Sequence, residues 1–252
     1  MRPSSFQLEL KLTALLLLSA GLSCSADQPP PFCTISRATY AARYELVSGQ
    51  GACAMLKGEV LGGQAYLANP DKAGDKGSVA LQSEALGTRI QAGEALMTPV
   101  VDADATHKPY AYGKFTSDTP DGNNVCTVPT LDDAQLVQAA FTGPMGAMGM
   151  AGEMFPAINV RYHWSNFRSL VTAASTGVVV AGDLDYTLDG CTAKYKVVAI
   201  APKVSCEGMN GQADQTICDT DPNLNPDTKV VCEPTTKLCV PAGDFPSLKA
   251  AK

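Results

Sequence analysis

The chain has 252 residues, 17% of them charged and 45% hydrophobic, with a formal net charge of −6. That length suffices for one large or two small domains with a real core. The acidic balance and the lack of a basic run argue against nucleic acid as a partner, and 22 glycines and 17 prolines beside so few charges favour a turn-rich β protein.

Residues 1–11 carry Arg2 and Lys11, and an apolar run follows from Leu12 to Leu22. Charge, a short apolar core and then small residues is the layout of a secretory signal peptide, here residues 1–23. A membrane-spanning helix needs roughly 20 apolar residues, and this run is about half as long. No later segment matches it, so the mature chain is expected to have no transmembrane helix. Removing residues 1–23 takes away Arg2, Glu9 and Lys11 and moves the net charge from −6 to −7.

The segment Ala20-Gly21-Leu22-Ser23-Cys24 resembles a lipobox, the site of bacterial lipoprotein signal peptidase. Gly21 stands where Leu is usual, and a Leu follows one place later. The resemblance implies that Cys24 becomes residue one and is acylated (palmitate or a similar chain) on its sulfur and new amino group. Cys24-Ser25-Ala26 offers the rival site, ordinary cleavage after Ala26. The tether favours lipidation: Ser25 to Gln28 are polar, and Pro29-Pro30-Pro31 is stiff and extended. Residues 24–33 thus read as a spacer from a bilayer. One acyl chain anchors marginally; several on one residue anchor firmly. Ser25 at the second mature position lacks the Asp of an inner-membrane retention signal, which by resemblance points to the outer membrane.

Without Cys24, eight cysteines remain: Cys33, Cys53, Cys126, Cys191, Cys206, Cys218, Cys232 and Cys239. An even number in an exported chain predicts four disulfides. No C-x-x-C spacing supports a zinc ribbon or a thioredoxin-like site.

Residues 34–204 read as an antiparallel β domain. Tyr40, Ala42, Tyr44 and Leu46 alternate with Thr39, Ala41, Arg43 and Glu45, a half-buried strand. VSGQGA turns the chain, and CAMLKGEVLGGQAYLA returns it. GSVALQS, PYAYGKF and NVCTVP are shorter strands. His107 sits in the loop DATHKPY. LDDAQLVQAAF fits either a short helix with Thr130 as N-cap or a strand.

GPMGAMGMAGEMFP carries Met145, Met148, Met150 and Met154, four of the eight methionines. Soft thioethers at such spacing suit Cu(I), while the plainer reading is a glycine-rich loop using methionine as adaptable packing. Beyond it, Ile158, Val160, Tyr162 and Trp164 alternate with Asn159, Arg161, His163 and Ser165. That pattern turns His163 to the outer face. His107 and His163 are the only imidazoles, and an exposed structural role is the better reading of each. No G-x-S-x-G or H-E-x-x-H occurs.

GDLDYTLDGCTAKYKVVAIAP holds the clearest signal. Asp189-Gly190 is a strong two-residue hairpin turn. It sets Leu188 against Cys191, Thr187 against Thr192, Asp185 against Lys194 and Asp183 against Lys196. Leu184, Tyr186, Ala193, Tyr195 and Val197 fall on the other face. The matching lysines make ion pairs a better reading of the two aspartates than a catalytic pair.

Residues 205–241, CEGMNGQADQTICDTDPNLNPDTKVVCEPTTKLCV and its flanks, hold four cysteines and few apolar side chains. A segment this small and polar needs cross-links. Asp219, Asp221, Asn223, Asn225 and Asp227 alternate as at the start of a calcium loop, but Leu224 and Val230 occupy the glycine and glutamate positions. Residues 242–252 read as a flexible tail. The four-cysteine segment and the hairpin YTLDGCTAKYKVV resemble uncharacterised cysteine-rich lipoproteins of myxobacterial type. The resemblance covers about a quarter of the chain and implies no activity. It implies Cys206–Cys232 with Cys218–Cys239; the sequential pairing stays open as the alternative.

The expectation is an all-β chain, an antiparallel sandwich or barrel with a small disulfide-rich C-terminal module. Its function is expected to be that of a non-enzymatic, lipid-anchored binding or structural module at the outer membrane, on the periplasmic or the surface side. A protein or glycan partner and no cofactor are implied. The alternative is an envelope protein binding copper or calcium through the residues named above; a third class is an enzyme with a spatially assembled site.

Overall fold

The computed structural model describes residues 31–69, 71–104, 106–146 and 150–249. Cys24, Met148 and residues 250–252 lie outside the described residues. Long strands dominate: β1 (Ala38–Gly49), β2 (Gly58–Tyr66), β3 (Ser78–Ser83), β4 (Ala111–Lys114), β5 (Val125–Thr130), β6 (Ala134–Gln138), β7 (Phe141–Thr142), β8 (Met154–Phe155), β9 (Ile158–Val171), β10 (Thr176–Leu188), β11 (Cys191–Ile200), β12 (Val230–Glu233) and β13 (Leu238–Pro241). Among the described residues, two α-helices interrupt them, α1 (Glu84–Glu94) and α2 (Gln215–Thr220), with one short 3-10 turn at Ala52–Ala54.

The main sheet runs β4-β3-β2-β1-β11-β10-β9-β5, every pair antiparallel, with β6 also on β9. β5 and β6 share one long partner. β5 pairs with residues 165–170 of β9 and β6 with residues 158–162, so the two form one broken stave. The sheet curls until its edges meet. Across the seam Thr116 N–H donates to Thr127 O (2.9 Å), Asp132 N–H to Tyr112 O (2.7 Å) and Gln135 N–H to Lys108 O (2.8 Å). The all-β expectation thus takes its barrel form.

LDDAQLVQ is a strand and not a helix. Ala134, Leu136 and Gln138 are buried while Gln135 and Val137 are partly exposed, a period of two. Thr130 caps nothing; it belongs to β5. Helix α1 was not legible in advance. Only Leu86 and Ile90 give it an apolar stripe, and Gly87 and Gly93 lower its propensity. Gly93 has a packing reason: a Cβ there would come within 2.4 Å of Val100 O.

The hairpin takes the expected register, from Asp183↔Lys196 to Leu188↔Cys191. Asp189 and Gly190 both have positive φ, 49° and 88°, as a type I′ turn requires. Lys194 Nζ lies 2.9 Å from Asp185 Oδ2. The Asp183–Lys196 ion pair does not form. A bulge opposite Gly182 puts Asn166 at φ 49°, and its amide donates to Asp183 Oδ2 at 3.1 Å.

The barrel core gathers Tyr40, Tyr44, Leu61, Val79, Leu81, Val128, Leu136, Tyr162, Trp164, Phe167, Leu184 and Tyr195. Two buried tyrosine hydroxyls donate to backbone carbonyls. Tyr40 Oη donates to Gly177 O (2.7 Å), and Tyr195 Oη donates to Cys53 O (2.5 Å). Cys33–Cys126 and Cys53–Cys191 staple the wall, so the residue expected to end the tether is buried in the barrel. Cys206–Cys232 and Cys218–Cys239 staple the C-terminal segment, the pairing that the resemblance implied.

That segment does have something to fold around. Leu224, Cys206, Cys218 and Cys239 pack on Leu170, Val179 and Ile200 of the outer sheet face, and Leu238 and Val240 pack on Ala41 and Val60. The described residues from Pro31 onward cluster as one compact unit. Residues 242–249 are docked as well. Phe245 lies 5.2 Å beneath the Arg168 guanidinium, Gly243 O accepts from Arg43 Nη2, and Lys249 N–H donates to Asp227 O. A loose end from residue 242 therefore does not describe this stretch.

Candidate binding surface

The residues singled out by sequence fall in four separate places. His163 faces outward on β9, its Nδ1 2.6 Å from Asp133 Oδ1, and Arg161 Nη1 reaches Asp133 Oδ2 at 3.3 Å. His107 lies in its loop, Nδ1 3.3 Å from Asp104 Oδ2. His163 is hydrogen-bonded to its carboxylate, His107 only lies near one, and among the described residues no nucleophile is hydrogen-bonded to either imidazole. Met145 and Met150 are exposed on the excursion between β7 and β8, and Met154 is exposed in β8 itself; the excursion closes through Gly143 N–H to Glu153 O (2.8 Å) and Gly146 N–H to Met150 O (3.0 Å).

The Asp/Asn loop spends its oxygens on its own chain. Asp221 Oδ1 accepts from the backbone and the side-chain amide of Asn223, and Asn225 Oδ1 accepts from Asp227 N–H. Asp219 Oδ1 accepts from Gln215 Nε2 at 2.8 Å. These are turn-forming bonds. Among the described residues, one trio of imidazole, thiol or carboxylate ligand atoms falls within 4.8 Å of one another, Cys206, Cys218 and Cys239, and all three are disulfide-bonded.

Inside the barrel, sequence reasoning missed Glu59. It shares the inward parity of Leu61 on β2, so a carboxylate enters the core. Tyr44 Oη donates to its Oε1, while Ser83 Oγ (2.5 Å) and Tyr162 Oη (3.4 Å) donate to Oε2. Burial raises the carboxyl above its ordinary pKa, more than the three hydroxyl bonds lower it. Burial, with Glu59 second, also holds the Tyr44 and Tyr162 hydroxyls well above their usual range. Tyr186 is pushed up to about 12 by burial first and Glu59 second. This is a network of phenols around an acid, and no imidazole takes part in its hydrogen bonds. Ser83 sits at the N-cap of α1 but makes no cap bond, because its hydroxyl serves Glu59.

The outer face of β1–β4 carries a groove of about 620 Å³. Outward positions on adjacent strands line up in rows. Thr39 pairs with Gly62 and Gly62 with Gln82; Gln64 pairs with Ala80 and Ala80 with Tyr112; Tyr66 pairs with Ser78. Gly62 and Ala80 are the low points, so the sheet backbone is the floor. Tyr66, Tyr110 and Tyr112 rise around it, the first two 53% and 37% exposed. The Tyr66 and Tyr112 rings stand 6.5 Å apart at 56°. Arg37, Gln64 and Gln82 complete the lining. The groove begins one pairing row beyond Ala41↔Val60, where the C-terminal segment covers the same face. The alternation of small and aromatic residues is visible in GGQAY and PYAY, but only strand pairing puts them in one place.

A family model described as MlpA matches residues 38–202, the barrel from β1 through β11. A Myxococcus xanthus protein named "Putative lipoprotein MlpA" is 28% identical over 253 residues, covering 94% of this chain and 97% of its own length. No solved structure matches.

Proposed function

The chain belongs to the MlpA family, and from that premise we propose that it is a lipid-anchored envelope lipoprotein, tethered through Cys24 at the outer membrane, whose barrel presents a binding surface. The name of the Myxococcus xanthus relative supports the anchor, as does the lipobox-like segment ending at Cys24. The observation that carries the reading is how closely anchor and barrel are joined. Cys33 is locked to Cys126 in the barrel wall. Nine positions separate Cys24 from Cys33, a reach of about 30 Å when fully extended. The barrel is therefore held on a short tether and not at the end of a long stalk.

The test is to feed cells a labelled fatty acid and fractionate their envelopes. The wild type is expected to carry label and to sediment with outer membranes. Cys24→Ala is expected to lose the label and either leave the membrane fraction or stay unprocessed. A Cys24→Ala protein that is processed and membrane-bound like the wild type would overturn the anchor.

A further inference from the structure

We infer that the groove on β1–β4 binds an acidic oligosaccharide, its pyranose rings laid on Tyr66 and Tyr112 and its carboxylate groups met by Arg37 and Lys114. The inference deepens the binding reading above and rests on it. Three observations lead to this ligand class. First, shape: the groove is open and shallow with a backbone floor, and about 620 Å³ falls in the range of roughly 300–1,000 Å³ usual for small-ligand sites. Second, lining chemistry: aromatic rings face it beside the amides of Gln64 and Gln82 and the hydroxyl of Thr39. A sugar ring offers an apolar C–H face and a rim of hydroxyls, which needs both kinds of partner at once. Gln64 Nε2 and Gln82 Nε2 each donate once within the chain, to Ala65 O (2.6 Å) and Pro109 O (3.0 Å), and a purely apolar ligand would leave the rest of their hydrogen-bonding capacity and the guanidinium without partners.

Third, charge. The groove lining contains Arg37 and no carboxylate. The same surface continues past Tyr66 and Tyr112 to Lys72 and Lys114, with Asp75 as its one acid. Asp75 is turned to its own loop, accepting from Asn69 N–H (2.9 Å) and Gly77 N–H (3.4 Å). Among the described residues, Arg37, Lys72 and Lys114 make no salt bridge. Asp75 feels the charge of Lys72 and Lys114, but three cations against one carboxylate on one face of a chain of net charge −6 still favour an anionic ligand. Arg37 lines the groove and Lys114 lines its continuation, with Tyr66 and Tyr112 shared by both, so a ligand charged on more than one ring can meet both cations.

The test is calorimetric titration of the full-length protein, extracted in detergent, with a galacturonic acid hexasaccharide, a neutral glucose hexasaccharide and anionic phospholipid vesicles. Gly62→Leu is the decisive variant. A Cβ at Gly62 meets only Gln82 O, at 3.7 Å, so the side chain enters the groove without disturbing the sheet. Saturable binding of the acidic hexasaccharide is expected, weakened at least tenfold by Gly62→Leu and by Tyr66→Ala. Arg37→Gln should remove most of the preference for acidic over neutral sugar. An unchanged thermal transition for each variant certifies the fold. Equal binding of the neutral sugar, binding to vesicles alone, no saturable binding, or binding indifferent to Gly62→Leu would each overturn the inference. Fatty-acid labelling at Cys24 is read separately, so a labelled protein that ignores the acidic sugar refutes the ligand and leaves the anchor standing.

Discussion

Glu59 is the residue whose surroundings most constrain what the barrel can tolerate. A carboxyl whose folded pKa is raised binds its proton more tightly in the native state than in the unfolded chain. Stability therefore falls as pH rises from the ordinary carboxylate range through the raised folded value, and is greatest below it. Glu59→Gln should flatten that part of the profile. Thermal unfolding at several pH values reads it: the variant should match or exceed the wild type at neutral pH and lose any advantage in acid. A wild-type stability that rises with pH through that window would contradict the assignment. Arg89 makes a second residue-scale case. Its guanidinium is buried against Phe141 and Phe155 and donates to Gln138 Oε1 (2.6 Å), Ala139 O and Pro156 O, and burial pushes its pKa down. Lysine cannot reproduce that fork. Arg89→Lys should cost roughly 1.5–3 kcal/mol in denaturant unfolding, the scale of a hydrogen bond to a charged group. Neither residue announces itself in sequence, since the partners of Glu59 span β1, the end of β3 and β9 and meet only when the sheet curls.

Elements were legible where the chain states its own geometry. Asp189-Gly190 sets a turn, the turn sets a register, and the register puts Asp185 beside Lys194. The second ion pair failed for a reason outside the hairpin: the bulge in β9 brings Asn166 to Asp183 first. Asp185→Ala should consequently cost well under about 1 kcal/mol, as exposed pairs do. Gly190→Ala should cost about 1 kcal/mol, because φ of 88° suits glycine alone. Denaturant melts of the two variants give the order; a costlier Asp185→Ala would contradict it. α1 and β6 were illegible because each carries a weak or short pattern whose outcome depends on a partner elsewhere. β6 is a strand because β9 is long enough to hold both it and β5.

At the scale of the molecule, the C-terminal segment is a cover and not a satellite. VVAIA in β11 is a continuous apolar run, and Val197, Val198, Ala199 and Ile200 are all buried. Such a run signals a strand covered on both faces. With the similar run Val178 to Ala181 in β10, it is the sequence clue that something packs on the outside of the barrel. Polar composition hid the cover itself, since beside its cysteines Leu224, Leu238 and Val240 are the segment's buried aliphatic side chains. Leu224→Ala should lower the stability of the barrel and the segment together, by about 2–5 kcal/mol. Hydrogen exchange that loosens the segment while β11 stays protected would contradict that coupling. The central claim, a barrel tethered closely to a bilayer through Cys24, is tested most directly by intact mass spectrometry of the amino-terminal peptide from membrane-extracted protein. The account predicts a peptide that begins at Cys24 and carries acyl chains; an unmodified peptide beginning at Asp27 would contradict it.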